Sequence, residues 1–214
     1  MFHVRNQTLE TTLEAAFPAA VPFDSAKLKS VALKALEKFR KYDLRPNEVL
    51  QRPGDQLFDY GLFFNLFNNQ ANFRLTSDRL VIRIQGAKNK QDAEILADTL
   101  ISSGQCLESE VDGFNIQSMA HAVFDVESDG VKYLETFVDE TNQIIDGGRT
   151  VVVKQPGWET PVRVSVEKSL AVKNGIFLAW STDQKGPVSL ENIKIIADKF
   201  AKAVNSLGLT YRIE

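Results

Sequence analysis

The chain has 214 residues, 43% of them hydrophobic and 25% charged, with a formal net charge of -3. That size can bury a real core as one large or two small domains, and the slight acidic excess excludes a global basic field for nucleic acid or anionic membrane. One cysteine, Cys106, excludes an internal disulfide and paired Cys-x-x-Cys zinc ligands, and two histidines, His3 and His121, exclude a site built on several.

In chain order, Leu9, Leu13, Ala15 and Phe17 alternate with Glu10, Thr12 and Glu14, and this period of two predicts a half-buried strand over residues 8–17. The first seventeen residues lack the basic leader and apolar run of a signal peptide. No stretch reaches the roughly 18 apolar residues of a membrane helix, so a cytoplasmic chain is expected. Asp24 then sits where a helix cap belongs, and Leu28, Val31, Ala35, Phe39 and Tyr42 make one buried stripe, predicting a helix over 25–42. A loop with Pro46, Pro53 and Gly54 leads to the strand-like runs LFDYGLFFNLF, NFRL and RLVIRIQ. A helix over about 90–103 follows, with Gly104 at its C-terminal cap.

The second half repeats this order. NIQSMAHAVFDV is a strand, and residues 128–143 are helical with Val131, Leu134, Phe137 and Val138 as the stripe. RTVVVK, TPVRVSVEKSL and IFLAWS are strands, with Asn174-Gly175 predicting a tight type I′ hairpin before the last. Ser189 caps a helix carrying Ile193, Ile196, Ala197, Phe200 and Val204, and LTYRIE closes as a short strand. The phrase EILADTL at 94–100 returns as KIIADKF at 194–200. Matched element order and a recurring phrase point to duplication. The expected fold is α+β: two pseudo-repeated βαβββα units, residues 1–107 and 108–214, forming an antiparallel sheet with helices packed on one face. One continuous domain accommodates the same pattern, and whether the halves share one sheet or pack face to face stays open. The element order resembles duplicated sheet-and-helix folds such as the TATA-binding saddle, although the acidic balance speaks against a DNA saddle.

Helices on one side leave the other sheet face for solvent, for a partner or for the second unit. Alternation in LVIRI, VRVSV and IFLAW puts Val81, Arg83, Arg163 and Phe177 on that face, with Phe63 and Phe67 joining them if Leu62, Phe64 and Leu66 point to the helices. Aromatic and arginine side chains with few lysines match the composition of interface cores. The competing reading is that the two halves bury these residues within one subunit.

Chemistry is sparse. His121 shares the open side with Met119, Val123 and Asp125, and Glu167 and Arg163 come near it only if their strand is its neighbour; such a group would suit general acid–base work. A strand histidine satisfied by local hydrogen bonds is the plainer account. Nothing near Cys106 offers a base, which marks an incidental thiol. No glycine-rich phosphate loop, nucleophile elbow, HExxH or EF-hand pattern occurs, so no cofactor or metal is expected and the reading leans away from an enzyme. The run NLFNNQAN reads as turn chemistry unless its amides converge on a pocket. The first helix carries Lys27, Lys29, Lys34, Lys38, Arg40 and Lys41 against Glu37. Three functions follow in order. The first is a non-enzymatic module binding a protein partner or a second copy, as a homo-oligomer, through Phe63, Phe67, Val81, Arg83, Arg163 and Phe177. The second is a small-ligand site or enzyme around His121, Asp125, Arg163 and Glu167. The third is nucleic-acid binding along the basic helix.

Overall fold

The computed structural model describes residues 1–16, 25–52, 61–67, 69–76, 79–85, 94, 98–99, 101–102, 105–106, 113–138, 147–186 and 189–212. Asp24, Pro53, Gly104 and most of the predicted 90–103 helix lie outside these residues; Asp98, Thr99, Ile101 and Ser102 are helical.

The fold is α+β, as expected. Among the described residues, ten strands make one sheet: β1 (Phe2–Ala16), β2 (Leu50–Arg52), β3 (Gly61–Leu66), β4 (Ala71–Thr76), β5 (Arg79–Gln85), β6 (Gly113–Phe124), β7 (Gly148–Val153), β8 (Val162–Lys168), β9 (Ile176–Lys185) and β10 (Leu209–Arg212). Their order is β2-β3-β4-β5-β1-β6-β9-β8-β7, antiparallel throughout, and β10 runs parallel to the start of β1. The two longest strands, β1 and β6, form the central pair, with one hairpin series fanning out on each side. The described parts of both halves therefore share one sheet.

Strand alternation sorts the faces. Leu13, Leu62, Phe64, Phe73, Leu75, Leu80 and Ile82 are buried on one side in the first half, as are Val162, Val164, Val166, Ile176 and Leu178 in the second. Among the described residues, three helices with defined bounds cover that side: α1 (Ser25–Phe39), α2 (Glu127–Glu135) and α3 (Leu190–Asn205). In α1, Val31, Ala35 and Phe39 recur at every fourth position and are buried, so the helix lays one stripe on the sheet. Ser189 caps α3 by accepting the Asn192 N–H at 3.2 Å. Two large core clusters result, one around Phe39, Phe64 and Phe73 and one around Tyr133, Val164 and Leu178, with Trp180 packed against both, and a small third joins Leu9 and Ala120. None of the described helices is long and apolar enough to cross a membrane.

Local expectations shift in four places. The first strand begins at Phe2 rather than residue 8, because a bulge between Asn6 and Thr8 resets the alternation and β10 supplies a further partner. In α2, which ends at Glu135 short of the expected 143, Val131 is exposed while Gly130 and Tyr133 are buried, so the helix is rotated from its aliphatic stripe; past its end Phe137 is buried and Val138 exposed. The Tyr133 hydroxyl accounts for this by donating to the Leu207 carbonyl at 3.0 Å. In α3, Ala197 is exposed and Lys199 is buried. Its amine reaches the Gln184 amide oxygen at 3.2 Å, and burial lowers its pKa. Finally, Asn174 does take a positive φ of 53°, but β8 and β9 are joined by a wider loop over 169–175 instead of a two-residue turn. The Ser169 side chain organises that loop by accepting the N–H groups of Ala171 and Val172.

Candidate binding face

The sheet side away from the helices is reached by solvent along its length. Register lines its side chains into rows across eight strands. One row runs Asn65, Asn72, Arg83 and Thr12 through the first half, then Gln117, Ser181, Arg163 and Val152 through the second. A second row is Phe63, Arg74, Val81 and Glu14, then Asn115 and Asp183. The surface is a polar lattice with an apolar corner where exposed Leu50 pairs with Phe63 and the Arg74 guanidinium lies 5.6 Å from the Phe63 ring centre.

Of the residues expected on this face, Phe63, Val81, Arg83, Arg163 and Phe177 are there. Phe67 is not. β3 ends at Leu66, and Phe67 turns out of the alternation with a φ of 54°. Its ring packs on Tyr42 at 4.9 Å and against the first core cluster. The amide-rich run does reach a pocket: Asn65 and Asn69 line a cleft of about 570 Å³ together with Tyr42, Arg45 and Phe67.

The two halves of the face differ electrostatically. In the first, Arg83 grips Glu10 with two N–H···O bonds of 2.7 and 2.8 Å, and Gln85 adds a third at 2.9 Å. The Arg83 hydrogen bonds outweigh partial burial and hold the Glu10 carboxyl below its ordinary range. Arg79 bonds Glu14 at 2.8 Å. These two pairs neutralise Arg83 and Arg79, while Arg74 lies over the Phe63 ring without an ion pair among the described residues. Because the folded-state pKa of Glu10 is depressed, its stabilisation is present above the unfolded pKa and is lost as pH falls through the folded one. Glu10→Gln is expected to cost about 1 kcal/mol at neutral pH, the scale of a half-exposed bidentate pair. That difference should vanish in acid, as checked by urea titrations at the two pH values.

In the second half, Arg163 makes no ion pair among the described residues. It borders a shallow depression of about 190 Å³ whose rim includes Gln117, Met119, Ser165, Ala179 and Ser181. Small side chains on β8 and β9 create the hollow. Met119, 41% exposed, supplies an apolar wall.

His121 lies on the open side, and the strand order settles the condition on which Glu167 would approach it. β9 lies between β6 and β8, so Phe177 stands between His121 and Glu167 in the register. Two strand spacings separate them, about 10 Å. Arg163 is farther along β8 than Glu167, and exposed Asp125 lies beyond the end of β6, where its N–H donates to the His3 carbonyl at 3.0 Å. The structure brings His121 instead to the Phe177 ring at 5.1 Å and to the Ser169 hydroxyl at 2.8 Å from Nδ1. Ser169 Oγ already accepts two backbone N–H groups, so its own hydrogen goes to Nδ1 and the imidazole proton sits on Nε2. The three residues do not assemble into an acid–base group.

Cys106 is buried with its thiol donating to the Ser102 carbonyl at 3.3 Å, and burial pushes its pKa up to about 11. A thiol so protonated is a poor nucleophile. Among the described residues, no three His, Cys, Asp or Glu side chains gather as a metal site requires. Sequence reasoning missed Gln117, Ser165 and Ser181, because only cross-strand register shows which small polar residues surround an arginine.

No protein-family model matches the chain, and no curated protein matches it. A solved structure described as a rolling circle replication initiator protein from Geobacillus stearothermophilus is similar over 94% of this chain and 80% of its own, at 10% identity and a TM-score of 0.34. A likeness at that level bears on neither activity nor partner.

Proposed function

We propose that the chain is a non-enzymatic binding module whose helix-free sheet face holds a protein partner, an acidic side chain of that partner seating against Arg163. The observation that carries this reading is the Arg163 guanidinium, without an ion pair among the described residues, beside a hollow of small side chains across β6, β9 and β8. A guanidinium offers planar, paired donors that match a carboxylate, and the neighbouring Ser165, Ser181 and Gln117 supply further hydrogen-bonding groups. Met119 and Phe177 contribute apolar contact on the same side. The Glu10–Arg83 and Glu14–Arg79 pairs support the reading too, since they keep those two arginines from competing for the same acid.

The test is a peptide library selected against the folded chain, followed by affinity and amide-shift mapping. Selected peptides should be acidic, should perturb amides of β6, β8 and β9, and should bind Arg163→Ala at least about tenfold more weakly, the scale of one charge-assisted contact. Binders that ignore Arg163→Ala, or that map to the helical side, would remove the reading.

A further inference from the structure

The sheet has two ends, and they are unlike. At one end β2 is three residues long, and Pro53 follows Arg52 in the sequence. A short strand next to a proline is how natural sheets blunt an edge. At the other end β7 runs six residues, pairs with β8 in unbroken register from Gly148 to Val153, and contains neither proline nor bulge. Among the described residues, no strand pairs with its outer side. Its only charged residue, Arg149, is turned away from guarding that edge. The Arg149 guanidinium donates to the Thr136 carbonyl at 3.0 Å and lies 5.5 Å from the Phe137 ring centre, tethered to the end of α2. What remains at the edge is a run of three valines, with Val152 60% exposed.

We infer that β7 is a self-association edge, and that its occupant is β7 of a second copy of this chain, antiparallel, extending the sheet across two subunits. Every other residue of an antiparallel edge presents its N–H and C=O outward, and a strand of the same kind satisfies them. A two-fold axis perpendicular to the sheet keeps the faces in correspondence, so residues opposite each other must have the same parity. Centring on Val151 places Thr150 of one copy against Val152 of the other and Arg149 against Val153, so like charges do not meet. Because the two-fold pairing uses the same edge of both copies, it closes at two copies instead of propagating as a fibre. The helix-free faces of both copies then continue on one side, and the pairing holds whatever occupies them.

Sedimentation velocity on the full chain across a range of concentrations, joined to hydrogen exchange, tests this. Expected is a monomer–dimer equilibrium in which β7 amides exchange more slowly at high concentration. Val152→Lys, which places a charge on the edge, should weaken association by about tenfold or more without changing the melting temperature. Arg163→Ala should leave the dimer intact, which separates edge pairing from occupancy of the face. A chain monomeric at every concentration overturns the inference. So does a dimer whose β7 exchange is independent of concentration, or one that Val152→Lys leaves as tight.

Discussion

Phe39→Ala is expected to be the most damaging single truncation in the first half, removing about 3–5 kcal/mol of unfolding free energy. Phe39 ends α1 with no exposed surface, and its ring lies 5.3 Å from Phe64 and 6.3 Å from Phe73. Phe64 and Phe73 themselves stack at 4.2 Å across β3 and β4. Removing the ring takes away the contact joining the helix to that pair, and the flanking strands cannot collapse into the space without breaking register. Denaturant unfolding monitored by far-ultraviolet circular dichroism measures the loss. A cost below about 1 kcal/mol, the level of ordinary surface substitutions, would mean that α1 does not hold the sheet.

Gly130→Ala carries the opposite sign from the one helix propensity suggests. Alanine inside a helix is better than glycine by about 1 kcal/mol, and Gly130 lies within α2 with ordinary helical φ. Yet a Cβ there would run into the carbonyl oxygen of Asn174 and stand 3.1 Å from Phe124 Cδ2. The obstacle is backbone, from the loop that Ser169 fixes, so relief requires moving the whole helix. A net loss of about 2 kcal/mol is expected, within the usual cost of overpacking, read from the same unfolding curves. A stabilised variant would show that α2 is free to lift from the 169–175 loop.

Period-two alternation was enough to separate the faces of β5, β8 and β9, because each has three apolar residues on one side. The fold class followed from that and from the order of elements. The rotation of α2 was hidden, since its buried side is made by Gly130 and Tyr133 and its exposed side carries Val131. Lys199 was hidden for the same reason: a lysine in a buried stripe is decided by what its amine reaches, and Gln184 is fifteen residues away. On the face, Arg163 was legible as an outward arginine, but the hollow beside it depends on β6, β9 and β8 lying in that order. Whether Glu167 comes near His121 hung on the same strand order, which alternation along one strand does not reveal. We also propose that the two βαβββα stretches are repeats. The arrangement of β1 with β5, β4 and β3 against β6 with β9, β8 and β7 supports this, and superposition of the halves tests it.

β1 uses one of its edges twice, pairing Phe2 to Arg5 with β10 and Glu10 to Ala16 with β5, on either side of the Asn6–Thr8 irregularity. The opening strand therefore remains half-satisfied until the closing one arrives, some two hundred residues later. Such remote closure is costly in chain entropy before any contact repays it. Folding has to bring residues 2–5 and 209–212 together, and a chain cut before Leu209 would leave that stretch of β1 with a bare backbone rim beside the central pair.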